Sequence, residues 1–368
     1  MKASLSIRGY DNFTIHTLFF GVAAGFLFPS FMIRSTTGSY WIPSAVWIAA
    51  AILSSWLYRN LLAMLQGRTL LGEIRSSIGR LATTVLSLPI LLFLYGAVIV
   101  LLRAYSEIVS MTMLPTTPIP FLNGMLLAPA LLAFAGMMPI FRSAKVLFLI
   151  GLLLCVSLLL IGLSDINWTL GKPWLYTDGD FFINQNFYSG SFLWVGFSIT
   201  AFIGRYTRQS ARIAWKSYVA ALIFSLPFIA GYIYLPIMTF GREFSSLLTV
   251  PFVSKMDSIY KYWIIVENLA AVFVSAMMLH VLIIMALKLH SCGSVCQELL
   301  PTADKRLIYI VLILLVYAGA TWLPSWRDLE RSLFLTVGIR TYIMFVFPML
   351  GIAALHVARK RREAGRPA

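Results

Sequence analysis

The sequence predicts an all-α integral membrane protein: about ten transmembrane helices in an inverted repeat of five plus five, with helices 1 and 6 discontinuous. Three observations carry this. Of 368 residues, 60% are hydrophobic and only 12% charged, outside the range of soluble folds. Ten apolar runs, most of them long enough to cross a bilayer, follow one another with short polar connections. Glycines interrupt the run that opens each set of five.

The first run, residues 14–33, carries no acidic or basic side chain apart from His16. At about 1.5 Å per residue it spans the hydrocarbon. Gly21 and Gly25 sit near its middle and Pro29 follows one turn later, so the helix unwinds easily there. Close helix packing on the same glycines is the alternative reading. The other runs are roughly 40–62, 84–110, 121–140, 144–163, 190–206, 214–240, 261–287, 305–323 and 338–358. Pro129 and Pro139 predict a kinked fourth span. The sixth is short and broken by Gly190, Gly196 and Gly204. It opens the second repeat (about 190–358) as residues 14–33 open the first (about 13–163). Five is odd, so the two halves run in opposite directions. Residues 1–368 thus read as a single transmembrane domain ending in a basic tail, 359–368. No cleavable signal peptide is expected, because the first run is too long for one.

The 29 basic residues divide 20 to one side and 8 to the other, with Arg103 inside a span. This asymmetry predicts cytoplasmic N- and C-termini. It also explains the net charge of +15 without nucleic acid, since the basic residues lie in short loops beside the bilayer. The basic tail reads as a stop signal with some attraction to anionic lipid.

Paired breaks at matching places predict a ligand site between Gly21, Val22, Ala23, Ala24 and Gly25 on one side and Gly196, Phe197, Ser198 and Thr200 on the other. Unwound backbone there offers free N–H and C=O groups. A half-helix N-terminus suits a carboxylate, which favours an amino acid over a sugar or nucleoside. Charged groups in spans are few. Arg103 and Glu107, at i and i+4, share a face of the third span; Glu267 and Asn268 fall about two turns into the eighth. They read either as an ion pair that fixes packing or as part of a polar pathway. His280 reads as a hydrogen-bonded packing residue. His290, Cys292 and Cys296 form H-x-C-x3-C in an expected loop; the set lacks a fourth ligand, so no metal is expected. No cofactor, nucleotide-loop or hydrolase motif occurs, which argues against an enzyme.

Several pieces, in order, carry a family resemblance: Arg103-x3-Glu107 followed by Leu114-Pro115-Thr116-Thr117-Pro118; Gly136 with Arg142; Phe202-x-Gly204; Ala214 and Lys216; Phe240-Gly241; and Pro251 with Lys255-Met256-Asp257 ahead of Trp263. Over nearly its whole length the chain resembles the permease-like B subunit of bacterial spore germinant receptors, a branch of the amino acid–polyamine–organocation superfamily. It departs at Ile203, where the family often has an acidic residue, and at Ser254-Lys255, where it often has Glu-Arg. The resemblance implies a ten-helix, LeuT-like fold and a small-molecule germinant bound between the first and sixth helices. It also implies two companion subunits, a large membrane protein and a lipoprotein, in the spore inner membrane. Two functions follow: a germinant-binding receptor subunit, or a self-sufficient secondary transporter of amino acids or amines.

Overall fold

The computed structural model describes residues 9–259 and 268–363, without the side chains of 361–363. The first span is a bent pair, α1 (Gly9–Gly25) and α2 (Leu27–Ser35), meeting at 58°. Phe26, at φ −112° and ψ −82°, is the single residue between them. The break therefore falls one residue beyond Gly25, and the helix stays wound through Gly21, Val22, Ala23 and Ala24. Pro29 sits in the first turn of α2, where its missing N–H costs no helix bond.

The second span is α3 (Trp41–Ala63). A two-stranded antiparallel ribbon then pairs β1 (Arg68–Thr69) with β2 (Arg205–Tyr206), which follows the sixth span. This joins the same end of both halves, and nothing in the apolar pattern foretells it. The short α4 (Leu70–Ile78) turns at Gly79, φ +84°, into the third span, α5 (Arg80–Thr112). At 33 residues α5 is about 50 Å long, well over the hydrocarbon thickness.

The fourth span is made of α6 (Ile119–Leu122), a 3-10 turn and α7 (Leu127–Ala135). Gly136, at φ +108°, reverses the chain directly into the fifth span, α8 (Met137–Gly162). The expected fourth span, 121–140, thus ends early. Only glycine takes that backbone angle without strain, and Pro139 belongs to the first turn of α8 rather than to a kink.

The sixth span is assembled from α9 (Gln185–Ser189), a 3-10 stretch (Gly190–Val195) and α10 (Gly196–Ala201). A capping box at Thr207 and Ser210 starts the seventh, α11 (Arg208–Phe240). Two short helices follow, α12 (Arg242–Leu247) and α13 (Pro251–Asp257). The eighth span, α14 (Leu269–Leu299), packs against α1, α5, α7 and α8 and is the most buried of the long helices. The ninth is α15 (Lys305–Trp322). The amphipathic α16 (Trp326–Leu335) buries Leu329 and Leu333. The tenth is α17 (Val337–Thr341), a π-turn (Tyr342–Val346) and α18 (Phe347–Glu363).

Among the described residues, seven helices are long and apolar enough to cross a membrane, and the bent pair makes eight. The fourth and sixth spans are too short or too broken to pass on length, yet fill their places in the chain order. At the end away from the ribbon, the loop between α8 and α9 is pinned down. Asp180 accepts hydrogen bonds from Thr36 Oγ1 (2.8 Å), Thr37 N (2.9 Å) and Thr37 Oγ1 (3.1 Å). Arg34 of α2 pairs with Glu330 of α16 at 3.0 Å.

Candidate functional site

A cavity of about 350 Å³ lies beside the first-span break. This is within the usual size of small-molecule sites. Phe19, Ala23 and Leu27 line it from the broken first span, and Phe192 lines it from the 3-10 stretch of the sixth. Phe93, Gly96 and Val100 form a wall on α5, and Trp322 and Leu333 lie toward the loop face. Nearly all of its surface is apolar, and no carboxylate lines it.

Two cations line it. Arg340, 1% exposed, donates from Nη1 to Ser189 O at 2.7 Å, from Nε to Thr336 O at 3.4 Å, and from Nη2 to Leu333 O. It ties the start of the tenth span to α9 and α16. Lys288 of α14 is 3% exposed. Its Nζ lies 5.5 Å from the Phe19 ring centroid and 5.1 Å from that of Phe93, within cation–π range.

The residues singled out from sequence fall around this cavity unevenly. Ala23 lines it, and Val22 and Ala23 line a smaller void of about 30 Å³ that shares Leu27, Leu101, Ala104 and Phe192 with it. Gly21 faces another void of about 30 Å³, among α1, α8, α11 and α14. A Cβ on Gly25 would lie 3.1 Å from Phe273 Cζ, and Ala24 is fully buried. A Cβ on Gly196 would lie 2.7 Å from the Phe19 ring, so this glycine lets the sixth span close on the first. Phe197 packs edge-on against Tyr218 at 5.0 Å. The Ser198 and Thr200 hydroxyls return to their own helix, donating to Val195 O and Phe197 O at 2.7 Å each.

Arg103 contacts Glu107 at 2.9 Å and also donates to Leu323 O (2.8 Å) and Pro324 O (3.1 Å). The pair therefore anchors the chain just after α15. Asn268, expected two turns inside the eighth span, instead caps its start, accepting from Ala271 N at 2.8 Å. Glu267 lies outside the described residues. His280 Nε2 is 3.2 Å from Leu147 O, and its ring fills the space that the missing side chain of Gly151 leaves. His290, Cys292 and Cys296 lie within α14 rather than in a loop, because the helix continues to Leu299. No group of three metal-binding side chains occurs among the described residues.

Sequence reasoning missed Phe192, Lys288 and Arg340. In the sequence Lys288 falls just past the end of the eighth apolar run and Arg340 at the start of the tenth. Both read there as loop charges. The available signal is that no Lys, Arg, Asp, Glu or Pro follows Lys288 before Glu298, so nothing in the sequence ends the helix there.

An all-helical bundle with interrupted first and sixth spans and a cavity beside the break defines a permease-like membrane protein. Residues 11–324 match the family described as spore germination protein, and the chain belongs to that family. No curated protein matches it. Among solved structures it is similar to a Na+-coupled sialic acid symporter captured substrate-bound and outward-open. The TM-score is 0.62 at 12% identity, covering 96% of this chain and 88% of that one. That likeness establishes the inverted-repeat fold. The family is one of permease-like spore germination proteins rather than of enzymes.

Proposed function

We propose that this chain is the permease-like subunit of a spore germinant receptor, binding a small nutrient, an amino acid or similar molecule, and signalling through companion subunits. The observation that carries this is the cavity beside the first-span break in a chain of the spore germination family. A ligand seated there touches Ala23 at the break, Phe192 of the sixth span and α5 together. It can therefore favour one arrangement of the two broken spans over another, as a sensor requires. In this reading Ala23 is the point at which the segment from Gly21 to Gly25 meets the ligand, and the segment moves with it. Gly196 seats the Phe19 ring, and Phe197, Ser198 and Thr200 follow it in α10, so a shift of Phe19 passes into the sixth span. Arg103 and Glu107 hold the α5 wall against α15. The protein sits in the spore inner membrane with both termini in the cytoplasm, beside a large membrane subunit and a lipoprotein.

Tagged chain extracted from spore membranes tests the partnership. A receptor subunit brings both companions with it, and spores lacking either companion lose the nutrient response. Substrate uptake by the chain alone in liposomes, with no companion recovered, would establish the transporter alternative. Cysteines at Asp178 and Arg208 test the orientation: an impermeant reagent on intact cells should label the first and not the second.

A further inference from the structure

Arg340 has three carbonyl partners, but Lys288 has none. Among the described residues Lys288 makes no hydrogen bond and no ion pair; its Nζ faces the cavity between the Phe19 and Phe93 rings. Ring faces replace only part of the hydration that a buried ammonium loses. A charge in this position is retained at a cost to folding, and such charges inside spans are where function concentrates. The cavity that Lys288 lines is open along α5, since a Cβ on Gly96, which also lines it, would meet nothing within 4 Å. Beyond it the walls are Leu92, Val100 and Trp322.

We propose that Lys288 Nζ binds the carboxylate of a small ligand whose apolar body lies along α5 and the first span. The inference rests on the reading above only in taking this cavity as the ligand site. A carboxylate supplies the acceptor oxygens that the protein withholds from Lys288, and apolar walls suit a hydrocarbon body better than a sugar or a phosphate. Two sources share this chemistry, a simple carboxylic acid and an apolar amino acid, and the experiment separates them.

The test is calorimetric titration of the full-length chain in lipid nanodiscs with two isosteric pairs: 4-methylpentanoate against 4-methylpentanamide, and L-leucine against L-leucinamide. In at least one pair the carboxylate should bind about tenfold or more tighter than its amide. The responding pair identifies the source. Lys288→Met should bring the two members of that pair within about threefold. Gly96→Leu, which fills the open space while improving the helix, should abolish binding of both. Equal binding of acid and amide by the wild-type chain, or no binding of either acid, overturns the proposal. So does a preference for the acid that persists in Lys288→Met, or binding that survives Gly96→Leu. Because the isolated chain is measured, this result can fail while recovery of the companions succeeds, and the reverse.

Discussion

The two ends of the cavity each carry a buried cation, and they are built differently. At the loop face Arg340 is saturated: α9, α16 and the start of the tenth span each lend it a carbonyl. At the deep end Lys288 has only two aromatic rings. The difference separates a charge that holds segments together from one left open for a ligand. Guanidinium suits the first task, since its planar fork satisfies several acceptors at fixed angles, and ammonium suits the second, as a compact donor on a flexible stem.

The largest effect should come from the saturated end. Arg340→Ala leaves three carbonyls from separate segments without their donor, and hydrogen bonds to charged groups are worth about 1.5–3 kcal/mol each. Most of the protein should disappear from the membrane by immunoblot. Near-normal abundance would mean that Arg340 is no more structural than Lys288. Arg103 provides an intermediate case, with a carboxylate partner as well as two carbonyls. Arg103→Ala should cost about 3–5 kcal/mol by stranding Glu107, and the added change Glu107→Gln should recover part of the lost abundance. If the double variant is no better than the single, the pair contributes nothing beyond the carbonyl bonds.

Lys288→Met should behave oppositely. Replacing an uncompensated buried charge with an apolar side chain of similar length is neutral or stabilising. Thermal unfolding in detergent should therefore move by no more than about 1 kcal/mol, or upward. A collapse like that of Arg340→Ala would show that Lys288 has a structural role and would erase the contrast. The smallest effect concerns a satisfied charge at the loop surface. Burial raises the pKa of Asp180, but hydrogen bonds from Thr37 and Thr36 outweigh it and hold the carboxyl below its usual value. Its contribution is complete above about pH 4, the ordinary aspartate pKa, and is lost as pH falls through the lower folded value. Unfolding temperature should therefore decline slightly more steeply for the wild type than for Asp180→Asn below about pH 4. Parallel curves would remove Asp180 from the loop's stability.

The sequence alone determined the class of protein and most of its linear plan. Apolar runs of bilayer length admit only helices, because backbone groups in lipid must be satisfied within the segment. Glycines in the first and sixth runs, with Pro29 in the first, marked where that rule relaxes. The Arg103–Glu107 contact was legible from its i, i+4 spacing. Other features depended on contacts between residues far apart in the chain. The first span breaks at Phe26 rather than between its glycines, the ribbon joins Arg68 to Tyr206, and Gly196 seats Phe19. Lys288 and Arg340 read as loop charges because a helix apolar on every side gives no period by which to tell which face meets a neighbour and which meets a void. Only packing α14 against α1 and α5 brought Lys288 between two phenylalanines with open space ahead. A cavity consists of what several helices leave unfilled, and no single stretch of sequence encodes it.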